Sequence, residues 1–299
     1  NNLEGHDQMK LGKKLNYIYW SSRPVSWINT AYPFAAAYLM VTGKVDLTLA
    51  VGTLFFLIPY NLLMYGINDV FDYESDLRNP RKGGIEGALL PKEIHRTILW
   101  TAILSCVPFV IYLLAVGNAA SGLMLAFAVF TVLAYSVKGL RFKEKPFLDS
   151  LTSASHFVNP MLFAALLVGH GLFEPMLWQS WVAFAFWGMA SHAFGAVQDV
   201  KADREGGISS IATVIGARRT TRFAFALYLA AGVLMLGVPA PANWAAIAAV
   251  PYLLILLPHL NITDENCESA NRGWRRFIWL NFFAGFVVYQ LLYMSTTIG

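Results

Sequence analysis

Two acidic runs, NDVFDYESD at 68–76 and DVKAD at 199–203, each stand where a long apolar stretch ends. On a helix, Asp69, Asp72 and Asp76 at i, i+3 and i+7 share one face, and Asp199 and Asp203 at i and i+4 share another. Five carboxylates at the ends of apolar segments repel one another unless something cationic sits between them. Hard oxygen donors of this kind suit magnesium, which takes a few carboxylates and fills its shell with water and substrate phosphate. The five aspartates are therefore the expected catalytic residues and the expected magnesium ligands. The chemistry they point to is diphosphate handling at a membrane surface.

Cationic and polar neighbours extend the set. Asn68 opens the first run and Arg78, Arg81 and Lys82 follow it; Gln198, Lys201 and Arg204 flank the second. Gly83, Gly84 and Gly87 would let the chain fold over a bound headgroup. The stretch AYSVKGLRFKEKPFLD at 134–149 brings Tyr135, Lys138, Arg141, Lys143 and Lys145. The expected diphosphate contacts are Asn68, Arg78, Lys82, Arg141, Lys143, Lys201 and Arg204. A blander reading is open for each: a solvated helix end whose acids pair with nearby bases, or a basic loop that only sets topology. DxxxD alone is common on helices; its recurrence beside a second acidic run gives it weight.

Magnesium and basic side chains neutralise charge developing on a departing diphosphate. If the departing group is allylic, a carbocation remains. Such a cation needs a dry pocket lined by aromatic faces. Tyr65 and Phe71, close to the first run, are expected pocket members, with simple packing an equal alternative. His156 and His192 are candidate proton acceptors, though a hydrogen-bonded packing histidine is the commoner case.

The elements that must hold these residues follow from composition. The 299 residues are 57% hydrophobic and 13% charged, against about 25% charged in soluble domains. Apolar stretches near 25–42, 47–67, 97–116, 119–136, 151–169, 178–197, 223–238, 242–259 and 277–297 approach the length needed to cross about 30 Å of hydrocarbon. The expected fold is all-α: a polytopic membrane protein with nine transmembrane helices around a central cavity. All Lys and Arg except Lys44 fall on one side of that arrangement. The N-terminus is then cytoplasmic and the C-terminus outside, in a bacterial plasma membrane. The net charge of +4 is explained by this topology and calls for no nucleic-acid partner.

Asn61, His192, His156 and Asn159 are polar residues within spans, where they mark a bundle interior or wet cavity. Asn61 and Asn68, seven apart, are expected on one face, as are His192 and Asp199. The acidic runs follow spans two and six, which hints at two four-helix halves and a spare span. Cys106 and Cys267 offer neither a disulfide framework nor a CxxC site. Residues 1–8 (NNLEGHDQ) read as an expression remnant ahead of Met9, leaving one domain over 9–299, with the first span retained as an anchor.

With these residues in place, NDVFDYESD and DVKAD resemble the paired motifs of the UbiA superfamily of intramembrane prenyltransferases. Within it, SSRPVSWINTAYPF, IPYNLLMYGINDVFDYESDLRNPRKGGIEGALLP, WGMASHAFGAVQDVKADREGGISSIATVIGA and NITDENCESANRGW are similar to the bacterial lycopene elongase branch. The resemblance implies nine helices and a magnesium–diphosphate site built from Asn68, Asp69, Asp72, Asp76, Asp199 and Asp203. It also implies transfer of dimethylallyl units from dimethylallyl diphosphate to the ends of lycopene, in some members with hydration. Many superfamily members carry Tyr-x-x-x-Lys after span four; here Tyr135 to Lys138 is one residue shorter, which turns attention to Arg141 and Lys143. A five-carbon donor tail offers only a few kcal/mol on burial, at roughly 0.8 kcal/mol per CH₂. Donor affinity would come from metal and diphosphate contacts, while lycopene must enter from the bilayer through a lateral, apolar opening.

Two other readings are weighed against this one. An aromatic, quinone-precursor acceptor on the same fold would need polar groups for its ring substituents. A divalent-cation transporter would need carboxylates deep within spans and charge at both faces, whereas Asp46 and Glu174 are nearly alone on the outer side.

Overall fold

A computed structural model describes residues 9–78, 82–85 and 87–298; the segment 1–8 and Arg81 lie outside them. Among the described residues the chain is helical, without a named strand. A short helix, α1 (Leu11–Ser21), precedes α2 (Trp27–Thr42), α3 (Leu47–Phe71), α4 (Lys92–Val116), α5 (Ala119–Ser136) and α6 (Leu148–Leu167). There follow α7 (Leu177–Val197), α8 (Ala217–Leu236), α9 (Ala242–His259) and α10 (Asn271–Ile298).

Six segments, corresponding to α3, α4, α5, α8, α9 and α10, are long and apolar enough to cross a membrane. The other three expected spans are helical but fall short of that measure among the described residues. Helix α2 has only 16 residues. Helices α6 and α7 dilute their apolar content with Asp149, Ser150, His156 and Asn159, and with Gln179, Ser191 and His192. The physical reason is burial. Helix α6 is the most enclosed element: from Val158 to Ala165 every residue is buried, and it packs between α2, α5 and α7. A helix surrounded by protein does not need the apolar surface that lipid demands. Lipid-facing character shows on the outer helices, where Leu104, Ile111 and Phe283 are more than half exposed.

Local sequence fixes the short turns at the end of the bundle opposite the acidic runs. Asp46 caps α3 by accepting from the Leu49 amide at 3.0 Å, and Asn118 and Ser121 form a capping box at α5. Several helices start earlier than hydropathy alone predicts: α4, α6, α8 and α10 each carry a polar first turn or two. Consecutive helices are neighbours, and α10 closes the circle against α2. Helices α6 and α7 approach closely, so that a Cβ on Gly188 would lie 2.9 Å from Ala154.

Helix α3 is not uniform. Leu62–Gly66 form a π-turn after Pro59. Asn61 donates to Thr30 Oγ1 at 2.6 Å and to the Phe56 and Leu57 carbonyls, both at 3.0 Å, tying this irregularity to α2. The π-turn takes one residue more than an α-turn, so seven residues no longer return to the same face; the offset is about 100°. That corrects the expected pairing of faces: Asn61 is a structural link away from the cavity, and Asn68 faces the cavity.

Candidate active site

Both acidic runs end helices at one end of the bundle and open onto one cavity of about 790 Å³. Its lining includes Asn68, Asp72 and Asp76 from the first run, with Asp199 and Asp203 from the second. The backbone breaks at Asp72 between Ile67–Phe71 and Tyr73–Asp76, and at Asp199 between α7 and Val200–Glu205.

Asp69 behaves differently from its neighbours. Its side chain is fully buried behind the cavity wall, where Arg23 Nη2 donates to Oδ1 at 2.9 Å. Its second oxygen, Oδ2, is buried, with no side-chain partner among the described residues. Arg23 also lies 4.6 Å from the Tyr65 ring centre, and Tyr65 donates to Ser26 Oγ at 3.2 Å. Asp72 accepts from Arg141 at 3.1 Å and pairs with Lys143. Lys143 also reaches Asn68 Oδ1 at 3.3 Å, which Ser136 contacts at 2.9 Å. Lys82 Nζ stands 3.2 Å from Asp76 Oδ2. Burial pushes the Asp76 carboxyl above the ordinary range, and Lys82 opposes that shift.

Arg23 and Arg141 both sit in the left-handed region, at φ 53° and 41°. A bulky residue there is strained, and the contacts on Asp69 and Asp72 hold both side chains in place. The glycine loop closes beside them, with the Gly83 amide bonded to the Gly87 carbonyl at 2.8 Å. A Cβ on Gly87 would lie 2.6 Å from Lys82 Nζ and 3.0 Å from Arg23 Nη1, so a side chain there would push both cations from their present positions on the aspartates.

Of the expected diphosphate contacts, Asn68, Arg78, Lys82, Arg141 and Lys143 line the cavity. Lys201 and Arg204 do not. Lys201 is exposed, and Arg204 is engaged elsewhere: it donates to the Thr213 carbonyl at 2.8 and 3.1 Å and to Asp264 at 2.6 Å. Asp264 in turn accepts from the Ala217 amide at 2.7 Å, at the start of α8. That amide, then Arg204, holds the Asp264 carboxyl below its ordinary range. The stabilisation is present above the ordinary carboxylate range and disappears as pH falls through the lowered value. Asp264→Ala is expected to cost about 1 kcal/mol, the worth of a helix cap with a mostly solvated partner. Thermal unfolding at neutral pH checks this.

The deeper walls are aromatic. Tyr65, Tyr135, Phe157, Trp187, Trp274 and Phe277 line the cavity; Phe71, also expected there, is instead 38% exposed and outside it. Both expected histidines line the cavity. Ser150 and His192 Nδ1 are 3.0 Å apart, and His156 Nε2 lies 3.2 Å from the Thr131 carbonyl. Tyr135 packs edge-on against both rings. Asp149 is buried and structural, accepting from the Ser150 and Ile211 amides at 2.7 and 2.8 Å. Asn159 packs beside Thr131 rather than lining the cavity.

Sequence reasoning did not single out Arg23, Trp187, Trp274 or Asn281. Arg23 had one signal: it directly precedes Pro24 at the head of a span, beside a membrane surface.

A polar, cation-rich end built from paired acidic motifs, opening into an aromatic cavity inside a helical membrane bundle, defines a class that sequence comparison identifies. Residues 30–289 match the model of the UbiA prenyltransferase family, and the chain belongs to that family. It is 53% identical over 280 residues to a lycopene elongase/hydratase of Corynebacterium glutamicum, covering 94% of this chain and 97% of that protein. It is also 53% identical over 285 residues to the C(50) beta-cyclic carotenoids biosynthesis protein LbtBC of a Dietzia species, spanning 95% of this chain and 66% of that longer protein. The fold matches a UbiA homolog from Archaeoglobus fulgidus bound to DMAPP and Mg²⁺, with TM-score 0.64, 19% identity, and coverage of 90% and 99% of the two chains.

Proposed function

We propose that this prenyltransferase takes the dimethylallyl group of dimethylallyl diphosphate, held with magnesium, and adds it to the ends of lycopene. The observation that carries the reading is a single cavity whose one end gathers carboxylates and cations and whose walls are aromatic. Its acidic end is read as cytoplasmic, and α2, α6 and α7 as completing nine crossings.

The donor set fits magnesium. Among the described residues no three His, Cys, Asp or Glu side chains stand close enough to enclose one ion. Magnesium does not require that, because it binds through one or two carboxylates together with substrate phosphates and water. Asp72 and Asp76 on one side, with Asp199 and Asp203 on the other, are the residues that would hold it, and Asp69 would buttress Asp76 through Lys82, which lies 4.0 Å from the one and 3.2 Å from the other. Bound there, the metal would supply charge neutralisation for a leaving diphosphate.

The remaining work falls to the chain itself. Arg141, Lys143 and Lys82 leave their carboxylates for the diphosphate oxygens and stabilise charge as the allylic C–O bond breaks. Tyr65, Tyr135 and Trp187 present ring faces to the allylic cation and exclude water. A terminal double bond of lycopene attacks that cation, and the new tertiary cation loses a proton or captures water. His156 and His192 line the cavity as the available proton acceptors.

Mass spectrometry of products from purified protein, lycopene, dimethylallyl diphosphate and magnesium tests this. Products heavier than lycopene by one and two five-carbon units are expected, and chelation with EDTA is expected to abolish them. The same masses plus water would mark quenching by hydration. Turnover of an aromatic acceptor with none of lycopene would sink the carotenoid assignment.

A further inference from the structure

Helix α10 has two faces with different duties. Trp274, Phe277, Ile278 and Asn281 turn toward the cavity and line it. On the opposite face Arg272, Arg276, Trp279 and Phe283 fall at i, i+4, i+7 and i+11, so they form one stripe along the helix. All four are exposed, Trp279 by 64% and Phe283 by 70%, and Arg275 is exposed beside them. The head of the stripe stands at the polar end of the bundle, where Asn271 Nδ2 donates to Gln198 Oε1 at 2.7 Å, next to Asp199. The three arginines are therefore level with the acidic runs. Trp279 and Phe283 follow them toward the hydrocarbon, and Phe283 lies about 10 Å beyond Arg276 along the axis.

These arginines are not engaged within the protein. Among the described residues none of the three donates a hydrogen bond to the protein or pairs with a carboxylate, although Glu268 stands four residues before Arg272. Other arginines at this end are committed: Arg23 to Asp69, Arg141 to Asp72 and Arg204 to Asp264, with Arg218 and Arg222 on the Asn261 and Leu260 carbonyls. A charge that only sets topology needs neither a guanidinium nor an aromatic stripe directly beneath it. Guanidinium forks match phosphate oxygens, and tryptophan settles at headgroup level. We propose that this face of α10 binds an anionic phospholipid of the surrounding leaflet. Its headgroup phosphate lies on Arg272, Arg275 and Arg276, and an acyl chain runs along Trp279 and Phe283. A soluble phosphate would meet the arginines alone; the apolar stripe continuous with them selects a lipid. The site does not depend on which acceptor is prenylated.

The test is lipid retention by the full-length protein, read by native mass spectrometry from mixed phosphatidylglycerol and phosphatidylcholine. The unsubstituted protein is expected to retain phosphatidylglycerol in preference. Arg272→Gln, Arg275→Gln and Arg276→Gln together are expected to lower that preference by about a hundredfold, about fivefold for each arginine. Should the triple variant not fold, Arg276→Gln alone carries the test, with a loss of about fivefold expected. Lys10→Gln, Lys13→Gln and Lys14→Gln together remove the same charge at α1 and should leave the preference within about twofold. Trp279→Ala with Phe283→Ala is expected to weaken lipid retention by about tenfold through the lost apolar contact. An unchanged preference in the arginine variants, or an equal loss in the lysine variant, would overturn the site. Displacement of the lipid by soluble glycerol phosphate at equal concentration would overturn it too, since phosphate alone would then suffice.

Discussion

Asp72→Ala is expected to lower prenyl transfer by about 10²–10³-fold, the scale seen when one preorganised charge contact is removed from a reacting centre. Asp72 is where the first acidic run meets the basic loop: Arg141 donates to one oxygen at 3.1 Å and Lys143 contacts the other. Its removal takes a proposed metal ligand from the cavity and also frees two cations from the geometry that aims them there. The fold should survive, because Arg141 keeps the Ser136 carbonyl and Glu144, and Lys143 keeps Asn68. Turnover should therefore fall without a matching fall in unfolding temperature. Asp72→Asn separates shape from charge; it keeps the volume and is expected to lose nearly as much activity. Turnover of Asp72→Ala within a few-fold of the unsubstituted protein would remove this residue from the reacting charge network.

Arg23→Met is expected to act on stability first. The Asp69 side chain is fully enclosed, and Arg23 is the cation bonded to it, at 2.9 Å. Breaking a buried pair by deleting one partner costs about 3–5 kcal/mol, because the other charge is left in a medium that solvates it poorly. Lys82 lies 4.0 Å from the same carboxylate oxygen and offsets part of that cost, which places the expected loss toward about 3 kcal/mol. Arg23→Met with Asp69→Asn is expected to recover much of it, since no uncompensated charge remains. Thermal unfolding followed by tryptophan fluorescence distinguishes the outcomes. A single variant that melts with the unsubstituted protein would show that Asp69 does not depend on Arg23.

What could be read in the sequence was what depends on residues near one another in the chain. The acidic runs, their placement at the ends of apolar stretches and the loop that carries Arg141 and Lys143 all follow from local spacing and hydropathy. Partnerships did not follow. Arg23 and Asp69 are 46 residues apart, and nothing local marks one as the counterion of the other. Arg204 directly follows the second acidic run yet bonds to Asp264, 60 residues on, a partnership that proximity in sequence does not show. Helices α6 and α7 escaped the apolar measure for a related reason: they lie against protein, and burial replaced lipid as the constraint on their composition. Asn61 was misplaced because an unbroken helical period was projected through α3, and Phe71 because nearness to the first run does not fix which way a residue faces.

That break in α3 has a consequence for how the span tolerates change in length. Along an ordinary helix, losing one residue turns everything beyond it by about 100°, which here would swing Asn68 and Asp72 off the cavity. The π-turn at Leu62–Gly66 already carries a surplus residue. A deletion confined to those five positions would let the turn relax to α-helical winding and leave the motif on its original bearing. It is a stretch of the span where the chain can shorten by one residue without turning its acidic end.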